Sequence, residues 1–215
     1  MLPRLLVLED NDDDYFIYSE TLQERFHLNR FRTTADILQH LKSRQEPDYE
    51  LLVLDLMVPD GYSILALQDF LKSRVGQVPF VLISGRDEEF FLRTTFGLGG
   101  LDYIVKPFST SELLVRIENA ITSGRVRAAE RTFEFVLPPI QMRILKTVLS
   151  SPMQRVRKLD LATRLWRAPL ESSTSCLKAH LTNLRKVLPE HGFVLETRSG
   201  EVEIRRVRPP TAHQG

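Results

Sequence analysis

One cysteine, Cys176, in 215 residues excludes a disulfide framework within the chain. No apolar run approaches the roughly 18–20 residues a membrane-spanning helix needs, and no signal-peptide pattern opens the chain. A cytoplasmic location without membrane contact is the expectation. The five histidines lack metal-ligand spacing, and neither an internal repeat nor a low-complexity tract is present. No glycine-rich phosphate loop follows the first apolar run, which counts against a flavin- or nucleotide-cradling loop there. With 27% charged and 42% hydrophobic residues, what is there is a soluble globular chain of one or two domains.

The net charge of +1 hides an asymmetry. Residues 1–124 hold 12 Lys+Arg against 20 Asp+Glu, and residues 125–215 hold 17 against 8. An acidic first half suits cation chemistry, and a basic second half suits a polyanion such as DNA. Charge alone does not choose between DNA and an ordinary basic surface, so the second half needs a motif.

Along the first half, short apolar runs alternate with amphipathic ones. Strands are expected at 4–9, 28–33, 49–55, 79–84 and 102–106, and helices at 13–25, 34–42, 62–72, 87–98 and 109–123. Alternating βα units predict a parallel sheet covered on both faces. Thr34 reads as a helix cap, and Ser109 with Glu112 has capping-box spacing. Beyond a charged stretch at 125–131, read as a linker or a frayed end of the fifth helix, one strand is expected at 132–136. Helices are expected at 139–150, 157–166 and 172–187, strands at 193–197 and 202–206, and a loose tail at 209–215.

Three strand ends carry chemistry. Leu5-Leu6-Val7-Leu8 runs into Glu9-Asp10, Leu51-Leu52-Val53-Leu54 into Asp55, and Ile104-Val105 into Lys106-Pro107. Open parallel sheets bind ligands beyond the carboxyl ends of their strands. Three acids and a lysine gathered there suit a metal ion and a phosphoryl group. Asp12, Asp13 and Asp14 read as first-turn acids that favour a helix N-terminus.

These motifs, with Leu82-Ile83-Ser84-Gly85 and Asp102-Tyr103-Ile104-Val105-Lys106-Pro107-Phe108, make residues 1–124 resemble the receiver domain of two-component response regulators. The resemblance implies a (βα)5 doubly wound receiver. In it Asp55 accepts a phosphoryl group from a sensor histidine kinase. Mg2+ is held by Asp10, Asp55 and the Met57 backbone carbonyl, with Glu9 acting mainly through bound water. It further implies that Lys106 meets a phosphate oxygen and that Pro107 follows a cis peptide bond. Ser84 would move to the phosphate while the Tyr103 ring turns inward. Asp102 and Arg116 match family partners on a face where phosphorylated receivers form homodimers. A haloacid-dehalogenase-type phosphatase also uses a strand-end aspartate and Mg2+, but needs a second acid two residues on. Met57 stands there, so turnover chemistry is not expected.

Residues 137–206 resemble the winged-helix effector of the osmoregulation and phosphate-regulation type, through Leu137-Pro138-Pro139-Ile140-Gln141, His180-Leu181-Thr182-Asn183-Leu184-Arg185-Lys186 and Glu196-Thr197-Arg198-Ser199-Gly200. Independently, Leu177, Leu181, Leu184 and Leu188 make one apolar face of the third helix. Ser175, Ala179, Thr182 and Lys186 point opposite, flanked by Lys178 and Arg185, a pattern that suits a major groove. Arg198 is either a minor-groove arginine or a surface one, and Arg157 is a candidate phosphate contact. His180 is a phosphate contact or a packing residue, and Cys176 is read as a small packing residue.

Too few residues precede Leu137 for the four-stranded platform usual in this subfamily, so the N-terminal sheet is expected to be reduced. The expected whole is a two-domain, phosphorylation-dependent transcriptional regulator, not an enzyme. Its receiver is 1–124, its linker 125–131 and its effector 132–208, with duplex DNA and RNA polymerase as partners. The alternatives are a phosphorylation-controlled protein-interaction module and a DNA-binding regulator indifferent to phosphorylation.

Overall fold

The structure, a computed structural model, describes residues 2–43, 49–73, 77–86, 88–133, 136–166 and 170–207, without the side chains of 152 and 170–175. Contacts divide the chain into two units, Met1–Gly124 and Arg125–Gly215.

The first unit runs β1 (Arg4–Leu8), α1 (Asp12–Leu22), β2 (His27–Phe31), α2 (Thr34–Lys42), β3 (Leu51–Asp55), β4 (Met57–Val58), β5 (Gly61–Tyr62), α3 (Ser63–Ala66), α4 (Gln68–Lys72), β6 (Phe80–Ser84), α5 (Glu89–Gly97), β7 (Asp102–Val105) and the start of α6 (Thr110–Phe133). Five strands form a parallel sheet in the order β2-β1-β3-β6-β7, with β4 and β5 a small antiparallel pair beside it. The β1, β3 and β6 runs are near-continuously apolar because both faces are covered. Leu6, Leu8, Leu52, Leu54 and Leu82 pack with Ile37, Ile64, Leu71 and Phe91 on one side. Leu5, Val7, Val53, Val81 and Ile104 pack with Tyr18, Leu22, Leu113 and Ile117 on the other. Strand order reverses between β1 and β3, so the residues after β1 and at the end of β3 flank the crevice where such sheets bind ligands.

Several local readings change. The helix expected at 62–72 divides at Leu67 into α3 and α4. The cap of α2 is Thr33, which accepts from the Asp36 amide, while Thr34 is held by the Asp60 carboxylate. Ser109 does accept from the Glu112 amide at 3.1 Å, but the Glu112 side chain turns to Arg116.

The second unit holds the end of α6, α7 (Pro139–Leu149), β8 (Arg155–Arg157), α8 (Lys158–Trp166), α9 (Leu170–Val187), β9 (Phe193–Arg198) and β10 (Glu201–Arg206). The antiparallel order β8-β10-β9 beside three helices is a winged-helix arrangement. Ser199 and Gly200, at φ 50 and 83, make the two-residue turn of the wing hairpin. Arg155–Arg157 was not foreseen as a strand, and it moves the helix start to Lys158.

The stretch 125–131 is helix, the second of its two readings, and the strand expected at 132–136 is absent among the described residues: 132 and 133 end α6, and 136 and 137 form a turn. Packing explains this. Ala129 and Phe133, one helical turn apart, are fully buried in the effector core with Leu137, Leu145 and Leu181. The Phe133 ring meets His191 edge-on at 4.9 Å and Phe193 at 5.5 Å. Among the described residues no strand precedes α7 in this unit, and the end of α6 packs on its core. The tail at 209–215, and residue 208 before it, lie outside the described residues.

Candidate functional site

Lys106 gathers the strand ends. Its ammonium lies 2.8 Å from Asp55 Oδ1, 3.1 Å from Glu9 Oε2 and 2.7 Å from Asp14 Oδ2. Glu9 is 1% exposed and Asp55 7%. The remaining Glu9 oxygen accepts from the Asn11 amide, Tyr18 donates to Glu9 Oε2, and the Met57 amide donates to Asp55 Oδ2 at 2.8 Å. Burial comes first in lifting the Asp55 carboxyl above its ordinary 3.8, opposed by Lys106 and the Met57 amide. Burial and then the Asp55 charge lift Glu9 above 4.5. For Lys106, burial works against the charge, but Tyr18, Asp14 and Asp55 outweigh it and raise its pKa.

Asp10 stands apart. It is half-buried, and among the described residues no donor reaches its carboxylate. No three carboxylate, histidine or cysteine side chains converge as a ready metal cage among the described residues, since Lys106 occupies the middle of the acids. The donors are nonetheless hard oxygens, and the unpartnered Asp10 beside Glu9 is a spare anion that a divalent cation would neutralise, so the residues fit Mg2+.

Two arginines that the sequence reading passed over shape this loop. Arg30 donates to the carbonyls of Glu9, Asp10 and Asn11 at 2.9, 2.9 and 3.0 Å, and Arg32 donates to the Asp10 carbonyl at 2.8 Å. Both also pair with Asp12, and Arg30 lies 4.4 Å from the centre of the Tyr15 ring. Their signal was alternation: Arg30 and Arg32 share one face at the end of β2, beside the end of β1. Asp12 and Asp13 fit the first-turn reading, under the Asn11 cap, whereas Asp14 also holds Lys106.

The switch residues Ser84 and Tyr103 meet at the loop after β6. Tyr103 is already buried, and its hydroxyl donates to the Arg86 carbonyl at 2.6 Å. Ser84 donates to the same carbonyl at 2.8 Å and accepts from the Arg86 amide. The ring therefore sits inward while Ser84 is still held by the loop after β6. Asp102 and Arg116 pair with each other within the chain at 3.1 Å. The Lys106–Pro107 peptide is cis, and the Met57 side chain is half exposed beside the site.

On α9, Leu177, Leu181 and Leu184 are buried, while Lys178, Ala179, Thr182, Arg185 and Lys186 are exposed together on the outer face. The side chain of Ser175 lies outside the described residues. Arg185 reaches Thr197 of β9 at 2.6 Å, and the Thr182 hydroxyl turns back to the Lys178 carbonyl. Arg198 is 82% exposed at the wing tip and pairs with Glu196 at 3.1 Å. Arg157 is exposed where β8 gives way to α8. His180 stacks on Trp166 at 6.0 Å with its Nδ1 buried, a packing role. Cys176 is exposed, correcting its assignment to the interior, because it sits one residue off the leucine stripe.

The family described as "Response regulator receiver domain" matches residues 5–118, more than half of the chain. The phosphate regulon transcriptional regulatory protein PhoB of Rhizobium meliloti is 27% identical over 210 residues, covering 87% of this chain and 91% of the relative. The CpxR homolog transcriptional regulatory protein of Haemophilus influenzae is 25% identical over 213 residues, covering 88% and 91%. Among solved structures, a CheY-like response regulator receiver domain protein from Methanospirillum hungatei superposes with a TM-score of 0.50 at 22% identity, over 58% of this chain and 97% of that one. The signal receiver domain of an HD domain-containing protein from Pseudomonas fluorescens gives 0.51 at 19%, over 60% and 92%. Both show the fold alone. Receiver domains generally use Mg2+ for phosphorylation. Because the match spans the sheet and the loops around Asp55, and the relatives extend through the winged-helix unit, this chain belongs to the response-regulator receiver family as a two-component regulator with transcription-factor relatives, not a turnover enzyme.

Proposed function

We propose that this protein is a phosphorylation-dependent DNA-binding regulator of the cytoplasm whose Asp55 accepts a phosphoryl group from a sensor histidine kinase. One observation carries the reading: Glu9 and Asp55, from two strand ends, both lie within 3.1 Å of the ammonium of Lys106, from a third. An Asp55 oxygen attacks phosphorus as the bond to the donor nitrogen breaks, and the electron pair leaves with the kinase imidazole. Asp10, Asp55 and the Met57 carbonyl would hold Mg2+ directly and Glu9 through water. When bound, Mg2+ neutralises charge between these carboxylates and the incoming phosphoryl oxygens. Lys106 turns from carboxylate to phosphoryl oxygen as the new bond forms. Ser84 leaves the Arg86 carbonyl for the phosphate, and Tyr103 retains that acceptor. The change reaches the face bearing Asp102 and Arg116, where two receivers pair.

In the second unit, Lys178, Ala179, Thr182, Arg185 and Lys186 meet the major groove, with Ser175 at the same face and Arg198 on the wing. The domain limits we propose are 1–124 for the receiver and 125–208 for the effector, with RNA polymerase as a downstream partner. The test is a mobility-shift assay on DNA selected from random sequence, with and without beryllofluoride. Wild type should bind more tightly with the phosphoryl mimic, and Asp55→Ala should not respond. An equal response from Asp55→Ala overturns the phosphoacceptor reading. Binding that does not weaken as salt rises points instead to a protein partner.

A further inference from the structure

An ammonium has three donor protons, and the acceptors around Lys106 are three carboxylates. Glu9 and Asp55 belong to the cation and phosphoryl chemistry proposed above. Asp14 does not, yet at 2.7 Å its oxygen is the nearest of the three. Asp14 stands in the first turn of α1, where its amide is held by Asn11 Oδ1 at 3.0 Å, so the carboxylate is aimed from a fixed backbone. Among the described residues its side chain has no other donor. Its neighbours do different work: Asp12 is neutralised by Arg30 and Arg32, and Asp13 is exposed.

Lys106 can meet a phosphoryl oxygen only by turning a donor away from one of these carboxylates. Asp55 loses its claim when it becomes the acceptor, and Glu9 when it turns to a cation. Asp14 has neither of these roles, and its backbone stays fixed by the Asn11 cap. We infer that Asp14 is a positioning residue that tethers Lys106 to α1 and restrains phosphoryl acceptance by competing with the phosphoryl group for the lysine. The inference rests on the phosphoacceptor reading of Asp55.

The test uses the full chain, saturating Mg2+ and acetyl phosphate as donor, with phosphoprotein followed on gels that retard it. Asp14→Asn should accept about two- to fivefold faster than wild type, the scale of one partly exposed ion pair. Asp14→Glu, which restores the carboxylate, should return toward the wild-type rate. Asp13→Asn, which removes the same charge from the same turn, should match wild type. In a Lys106→Gln background, Asp14→Asn should change nothing. A second readout needs neither metal nor donor: the 15N-resolved signal of the Lys106 ammonium should shift in Asp14→Asn and stay put in Asp13→Asn. The tether is overturned by an unchanged or slower rate in Asp14→Asn. It is equally overturned by a gain that persists without Lys106, since the carboxylate would then be repelling the donor directly. Should wild type take no phosphoryl group, or take it equally with asparagine at 55, the phosphoacceptor reading falls, and the ammonium signal alone decides whether Asp14 holds the lysine.

Discussion

The surroundings of Asp55 and the outer face of α9 are both dense in charge, but they are built in opposite ways. Around Asp55 the charges are drawn out of water and bonded to one another, from residues as far apart as Glu9 and Lys106. On α9 they sit within nine residues of one helix, exposed, with the leucines of the same helix buried behind them. Desolvation makes each interaction in the first region strong and each lost partner costly. In the second, solvent and salt reduce every single contribution. The first region should therefore answer a substitution as a switch, and the second as a graded, salt-dependent change.

The largest expected effect is at the buried site. Asp55→Asn should bring phosphoprotein formation to background on a phosphate-affinity gel while the circular dichroism of the fold is retained; a labelled variant would break the contrast. Next comes Phe133→Ala, because the second unit also has a buried part. Emptying the volume of that ring should cost about 3–5 kcal/mol, read as an earlier urea transition of the effector without an earlier receiver transition. Smaller and graded, Lys186→Ala should weaken DNA binding across all sequences and lower the slope of log affinity against log salt by about 0.9. A loss of all binding from that one change would make α9 resemble the buried site after all.

The smallest effect is one of pH. The carboxyls of Asp55 and Glu9 have folded values above 3.8 and 4.5. Their contribution to stability is thus full below those unfolded values and is lost as pH rises through the folded ones. Asparagine at 55 escapes that loss, so Asp55→Asn should gain on wild type in urea stability as pH rises from 3.8 through the raised folded value of Asp55. A gap that narrows over this range would mean that the ion pair with Lys106, not burial, governs Asp55.

Much of the first region was legible because its signals are local. Asp55 closes an apolar run, Glu9-Asp10 and Lys106 close two more, and a parallel sheet brings strand ends together. The leucine stripe of α9 was legible for the same reason, being one helical period repeated. The clamp of Arg30 and Arg32 on the acidic loop, the grip of Asp60 on Thr34 and the contact of Asp14 with Lys106 are different in kind. Each joins residues at least 18 apart through side-chain geometry that no periodicity announces. The stretch at 125–131 allowed two readings, linker or end of the fifth helix, and the helix is what packing selects: beneath the charges, Val126, Ala129 and Phe133 at spacings of three and four mark a buried helical stripe. The shared hold of Ser84 and Tyr103 on the Arg86 carbonyl is likewise side-chain geometry that no periodicity announces.

By itself the sequence determined the parallel sheet, the strand-end chemistry and the two-faced helix, because hydrophobic periodicity and the direction of the chain suffice to place them. The tertiary structure decided which charges meet. It set Lys106 among Asp14, Glu9 and Asp55, left Asp10 without a donor among the described residues, and gave the end of α6 to the effector core. Those outcomes depend on ångström-scale distances between residues remote in the chain, and hydrogen bonds and ion pairs lose most of their strength over such distances.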